Sequence, residues 1–169
     1  MQVSELMSRG VVTLSPGDTV RTAASLLSRY GVGCLPVVNA QGDLRGMLTD
    51  RDIVLRCVAS REDPDELRVR DVMSRKVTSI EPERELAEAA HLMAANQVRR
   101  LPVVKGRKVV GMLSLGDMAK QRRYEPIVCA ALGSISANVR AAPSLQTDKT
   151  GFSANNNLRR CTDHDGKQT

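Results

Sequence analysis

Hydrophobic positions along this chain follow two periods, and the order in which the periods alternate occurs twice. Val11-Val12-Thr13-Leu14 is a short extended run that Pro16 breaks just ahead of a helix. Val20, Ala23, Ala24 and Leu27 then fall at the i, i+3, i+4, i+7 spacing of a buried helical stripe. The pattern turns extended again at Leu35-Pro36-Val37-Val38, bends at Asn39-Ala40-Gln41-Gly42-Asp43, and resumes over Leu44 to Leu48. A second helix is predicted over Asp50 to Val58. The second pass reads Val77 to Ile80, Pro82, the stripe Leu86, Ala89, Ala90 and Met93, then Leu101-Pro102-Val103-Val104, Lys105-Gly106-Arg107 and Lys108 to Leu113. A proline cannot donate to a sheet ladder, so Pro36 and Pro102 are expected at a strand start or an unpaired edge.

The two passes are one unit written twice. A shift of 66 positions carries Met7-Ser8-Arg9 onto Met73-Ser74-Arg75, and Leu35-Pro36-Val37-Val38 onto Leu101-Pro102-Val103-Val104. After the shorter second turn, a shift of 65 carries Gly46-Met47-Leu48 onto Gly111-Met112-Leu113 and Asp52 onto Asp117. The period is longer than that of a solenoid repeat, so the chain reads as a doubled small domain. The units are residues 1–58 and 69–124, joined by a polar linker at 59–68. Each alone buries too little surface to be comfortably stable, and packing them together relieves that. Residues 125–169 leave the pattern: a short helix fits Ile127 to Ile135, and the extension is otherwise expected to be disordered.

Composition narrows the functions available. Aromatics make up 2% of the chain with no Trp, so the core is aliphatic and lacks stacking platforms for bases. No apolar run reaches the roughly 18 residues of a membrane span, and the N-terminal stretch does not read as a secretory signal. Cys34, Cys57, Cys129 and Cys161 form no Cys-x-x-Cys pair, which argues against a zinc site or disulfide framework and fits a reducing cytoplasm. No metal is expected. The net charge of +6 is modest, with local clusters at Arg99-Arg100, Arg107-Lys108 and Lys120 to Arg123. No histidine pair has metal-ligand spacing, and neither His91 nor His164 has a recognisable catalytic companion. The chain reads as a non-enzyme.

The candidate chemistry lies in Gly-Met-Leu-Thr-Asp-Arg-Asp, residues 46–52, and Gly-Met-Leu-Ser-Leu-Gly-Asp, residues 111–117. In each, a hydroxyl residue ends a strand and an aspartate follows three positions later, where a helix begins. One reading is a capping box. The other is a phosphate and ribose site, with helix-start N–H groups and the hydroxyl on phosphate and the carboxylate on a diol. Spacing alone leaves both open. Arg99-Arg100 adds guanidinium groups suited to phosphate, whereas the matching pair Gly33-Cys34 has no charge. Two related clefts are expected, one better suited to an anion.

These residues carry a family resemblance. The doubled strand-helix-strand-strand-helix unit, with Met7-Ser8 and Met73-Ser74, the two Leu-Pro-Val segments and the two Gly-Met-Leu-(Thr/Ser)-x-x-Asp segments, resembles the CBS domain pair, or Bateman module, over residues 3–124. The resemblance implies an α/β (α+β) fold of two pseudo-twofold-related repeats, each a small three-stranded sheet packed by two helices. It looks like a stand-alone, short bacterial CBS-pair protein that forms a homodimer. It implies an adenosyl ligand between repeats: AMP, ADP or ATP first, S-adenosylmethionine or NAD less so. By that resemblance Asp52 and Asp117 bind ribose, Thr49 and Ser114 hold phosphate, Arg100 pairs with phosphate, and Thr13 and Ser79 line the adenine pocket. Leu115-Gly116 in place of Asp50-Arg51 departs from equal sites.

The expected function is therefore ligand sensing through a changed conformation or packing against an unknown protein partner. A ligand-free structural or interaction dimer is the alternative. Nucleic-acid binding through the basic clusters ranks lower, against interleaved acids and few aromatics. Thiol redox sensing through Cys34, with Cys57 as partner, also ranks lower.

Overall fold

A computed structural model describes residues 1–137. The elements in order are α1 (Val3–Leu6), α2 (Val20–Tyr30), β1 (Cys34–Val38), β2 (Leu44–Thr49) and α3 (Asp50–Ile53), which continues as a π-helical turn, Val54–Val58. There follow α4 (Val69–Val72), α5 (Leu86–Ala95), β3 (Arg100–Lys105), β4 (Lys108–Ser114), α6 (Leu115–Ala119), a 3-10 turn (Arg122–Tyr124) and α7 (Glu125–Ala137). The order is a mixed helix-and-strand fold built on two small antiparallel sheets.

The sheets repeat one another residue for residue. Cys34 pairs with Thr49 and Pro36 with Met47, as Arg100 pairs with Ser114 and Pro102 with Met112, and each ladder shifts register once near its turn. The stripes fall where the periodicity predicts: Val20, Ala23 and Leu27 are buried on α2, and Leu86, Ala89, Ala90 and Met93 on α5. The hydroxyl of Thr19 accepts from the N–H of Thr22 to start α2, and Gly31 at φ 61° ends it in the left-handed region, where a side chain is disfavoured.

The expected third strands are reduced to single parallel bridges, Leu14 with Val37 and Ile80 with Val103. The prolines explain this. Leu14 donates to the Pro36 carbonyl at 2.9 Å and Val38 donates back to Leu14 at 2.8 Å. The next rung of a parallel ladder would need an N–H from residue 36, which proline lacks. Pro102 stops the second copy in the same way. Pro36 and Pro102 thus sit inside their strands rather than at the start, on the side where no further rung forms.

The outer edge of each sheet is taken by the other repeat. Ser8 exchanges hydrogen bonds with Met112 at 2.8 and 3.0 Å, and Ser74 with Met47 at 2.9 Å both ways. Packing follows the same exchange. Val3 lies in the core with Ile80, Leu86, Leu101 and Leu113, whereas Val69 and Val72 lie in the core with Leu14, Leu35 and Leu48. Neither repeat completes its own core. The hairpin turns also meet, with Leu44 donating to the Arg107 carbonyl at 3.0 Å.

The short helix that fits Ile127 to Ile135 runs from Glu125 to Ala137. Here α7 is thirteen residues long, and it buries Val128 and Ala131 against the second core, with Ile127 and Ile135 packed beside them. An i, i+4, i+8 spacing of Ile127, Ala131 and Ile135 gives the helix an apolar face, and α5 and α6 supply its partner. The expectation for residues 138–169, including Cys161 and His164, lies outside the described residues.

Candidate functional site

The capping-box geometry is realised in both copies. Asp52 Oδ2 accepts from Thr49 N–H at 2.9 Å and from its hydroxyl at 2.8 Å, while Asp52 N–H donates to Thr49 Oγ1 at 3.1 Å. Asp117 Oδ2 accepts from Ser114 N–H at 3.2 Å and its hydroxyl at 2.6 Å, and Asp117 N–H donates to Ser114 Oγ at 3.1 Å. The other carboxylate oxygens face cations, Arg56 at 3.2 Å from Asp52 Oδ1 and Lys120 at 3.1 Å from Asp117 Oδ1. Burial pushes the Asp117 carboxyl upward, but hydrogen bonds from Ser114 and Lys120 outweigh it and hold the group below its ordinary range.

The first turn of α3 has no N–H to spare. Asp50 N–H donates to the Gly33 carbonyl at 3.1 Å, Arg51 N–H to Asp50 Oδ1 at 2.7 Å, and Asp52 N–H to Thr49. In α6, Leu115 N–H donates to the Arg99 carbonyl at 3.1 Å. The helix-start groups of α3 are therefore engaged within the chain, and grip on an anion falls to side chains.

The two clefts that hold the capping boxes lie between the repeats, and each is walled by both. The first, about 510 Å³, brings Thr49 and Asp52 of the first repeat against Thr78, Val98, Arg99 and Arg100 of the second. The second, about 370 Å³, brings Ser114 and Asp117 against Val12, Val32 and Cys34. Their charges differ. The first cleft is lined by Arg51, Lys76, Arg99 and Arg100. At the positions matching Lys76 and Arg100 the second has Gly10 and Cys34, and its cations are Arg9 and Arg100. Its wall is also more apolar, with Tyr30, Val32 and Leu35. Thus the cation-rich cleft holds Asp52, because the arginines of one repeat face the carboxylate of the other.

Thr13 and Ser79 line neither cleft. Leu14 and Ile80 turn inward at the bridges, so the preceding residue points outward and is exposed. Val12 and Thr78, one position earlier, face the clefts instead. That alternation was available in the sequence. Lys76, Asn96, Gln97 and Arg51 are further lining residues that local spacing did not single out. Gln97 is held at φ 57°, in the left-handed region where the first repeat has Gly31, and its side-chain amide donates to the carbonyls of Ala94 and Ser134.

Cys34 lines both clefts, while Cys57 is buried in the first core. Burial pushes the Cys34 thiol up, against the pull of nearby Arg100. A protonated thiol is a poor nucleophile, which disfavours the redox reading. His91 is exposed, and among the described residues no group of three or more His, Cys, Asp or Glu could hold a metal ion. None of their helices is long and apolar enough to cross a membrane.

The doubled unit, the exchanged edges and the paired clefts are matched by a known family. The family model described as CBS domain matches residues 3–58 and again 69–124. The chain belongs to the CBS domain family. This CBS pair is 43% identical to the CBS domain-containing protein YhcV of Bacillus subtilis over 134 residues, which cover 79% of this chain and 94% of that protein. Among solved structures it is similar to Hypoxic Response Protein I with two coordinated zinc ions, at 28% identity and a TM-score of 0.67, covering 72% of this chain and 98% of that one. It is also similar to a CBS domain pair in complex with 5'-methylthioadenosine and S-adenosyl-L-methionine, at 25% identity and a TM-score of 0.64, covering 71% of this chain and 98% of that one.

Proposed function

We propose that this CBS pair is a non-enzymatic regulatory module of the cytoplasm that binds an adenine nucleotide in its first cleft and signals through changed conformation or packing. AMP, ADP and ATP rank ahead of S-adenosylmethionine and NAD. The observation that carries this reading is the charge pattern of that cleft: Arg99, Arg100 and Lys76 stand opposite Asp52. Cations suit phosphate and the carboxylate suits a ribose diol, so the two ends of a nucleotide find complementary groups across one cavity. The half-buried Val98 and Val77 give apolar wall for the base. The neighbouring CBS pair bound to methylthioadenosine and S-adenosylmethionine supports an adenosyl ligand in this architecture.

On this reading the two repeats respond together, because a ligand in the first cleft touches residues from both. A ribose at Asp52 would take its hydrogen bonds at Oδ1, the oxygen that faces Arg56 and stands outside the capping box. A dye-based thermal melt against AMP, ADP, ATP, S-adenosylmethionine and NAD tests the proposal. A nucleotide at about 100 times its dissociation constant adds roughly 2.7 kcal/mol to stability. That shift should appear with a phosphate-bearing nucleotide and disappear in Arg99→Ala. No shift with any of the five would refute it.

The second reading, a ligand-free homodimer, is favoured by a different observation. Val54, Leu55 and Val58 are 54%, 52% and 65% exposed on the π-helical turn of the first repeat, whereas α7 covers α5 and α6 in the second. A second copy seated on that bare face would hide it. A dimer through this face suits either reading, and the melt decides whether the clefts bind a nucleotide.

A further inference from the structure

We infer that Arg100 couples the two clefts, so that a phosphate-bearing ligand in one weakens the binding of a second in the other. This rests on the adenine-nucleotide reading and goes beyond it, since that reading concerns one cleft only. Arg100 lines the first cleft beside Asp52 and the second beside Ser114 and Asp117. It occupies the first position of β3, and its counterpart at the first position of β1 is Cys34. Cys34 also faces both clefts, but a neutral thiol supplies no charge. One repeat has therefore placed a single guanidinium where the doubled fold offers two places.

Arg100 reaches the Gly33 loop, where a β-carbon would be in ordinary van der Waals contact with it. A β-carbon there would stand 3.6 Å from Arg100 Nη1 and 3.4 Å from Asp50 Oδ2. The guanidinium thus reaches across the junction of the repeats to the Gly33 loop. In the first cleft an anion has Lys76, Arg51 and Arg99 besides Arg100. In the second it has Arg100 and Arg9, and Arg9 already donates to the Ser4 carbonyl at 3.2 Å. A guanidinium holding phosphate through two parallel N–H bonds has a fixed orientation and a neutralised charge. The second cleft then loses its better cation. Linkage makes the effect reciprocal, and couplings of this kind run from about 5-fold to 150-fold in affinity. An uncharged nucleoside asks nothing of Arg100 and escapes the coupling.

The test is titration calorimetry of the full chain with ADP and with adenosine. Unequal clefts alone would give two unequal ADP affinities, so the decisive comparison disables the first cleft. Asp52→Ala removes its carboxylate, and Thr78→Phe fills it by bulk without touching the helix cap. In either variant Arg100 is released, and ADP should bind the second cleft at least about fivefold more tightly than the second ADP binds the wild type. In the Arg100→Ala background the same two changes should leave second-cleft affinity unaltered, and adenosine should show no such gain in any form. An unchanged second ADP affinity after the first cleft is disabled would overturn the coupling and leave the nucleotide reading standing. Absence of any ADP binding by the wild type would overturn both.

Discussion

The sulfur of Met73 lies 2.7 Å from the point where a β-carbon on Gly46 would stand, and the sulfur of Met7 lies 2.6 Å from the equivalent point on Gly111. The glycine that opens each Gly-Met-Leu segment is thus a seat for the methionine that enters the other repeat. Backbone adds to the constraint, since the Ser74 carbonyl would be 2.9 Å from a β-carbon at Gly46 and the Ser8 carbonyl 3.0 Å from one at Gly111. A side chain at either glycine would push the exchanged segment off its sheet.

Gly46→Ala should therefore destabilise the chain by about 1–3 kcal/mol, the usual cost of overpacking. Urea unfolding measures it. Adding Met73→Ala should recover only part of the loss, because the methionine sulfur can be removed and the Ser74 carbonyl cannot. Full recovery in the double variant would show that the sulfur alone sets the constraint.

Thr49→Ala and Ser114→Ala should each cost about 1 kcal/mol in the absence of ligand, as loss of an N-cap does. The aspartate partner would then lose the hydroxyl donor at 2.8 or 2.6 Å. Thermal melts of the two single variants and of the double should be close to additive, because the two caps share no hydrogen-bond partner.

Acid should weaken the fold partly through Asp117. Its folded carboxyl titrates below the ordinary range, so the folded chain binds fewer protons than the unfolded chain in that window. The contribution is complete above the unfolded value of about 3.9 and is lost as pH falls through the folded one. Asp117→Asn should lower stability at neutral pH and flatten the acid limb of a stability-against-pH curve. An acid limb as steep as in the wild type would assign that loss to other carboxylates.

On the homodimer reading, Leu55→Asp should reduce the apparent mass in solution to that of one chain and remove any dependence of the melting temperature on protein concentration. Leu55 is half exposed, so the charge meets water in the separated chain and desolvation only where a second copy covers it. Light scattering coupled to size exclusion reads the outcome. A mass indifferent to the substitution would exclude this face as the contact.

Val128→Ala should cost roughly 1.5–2 kcal/mol, in proportion to the methyl groups withdrawn from the second core. Val128 is 4% exposed on α7. A loss near zero in a calorimetric scan would mean that α7 adds little to the core it covers.

Much of the fold was legible because it is local. The 3.6-residue stripes of α2 and α5 and the hairpin turns depend on residues close in sequence, and duplication wrote each signal twice. The candidate site was legible in part, since Thr49, Asp52, Ser114, Asp117 and Arg100 all line clefts between the repeats. Thr13 and Ser79 do not, and alternation from the buried Leu14 and Ile80 would have pointed to Val12 and Thr78. The fate of α7 was harder. Its apolar positions are visible, but a helix with one apolar face gains stability only from a partner surface, and α5 and α6 form that surface only once the second repeat has folded.

What the sequence determined by itself is the unit, its repetition and the residues able to hold an anion. The tertiary structure decided how the copies divide their work. Exchange of Met7-Ser8 and Met73-Ser74 interlocks the repeats, because each sheet has an open edge that only the other copy's entering segment covers. Facing the repeats across their clefts sets the arginines of the second against the carboxylate of the first, which places the cation-rich cleft beside Asp52 rather than Asp117. Local propensity acts within a turn or two of chain, whereas charge complementarity and edge pairing depend on groups that only folding brings together.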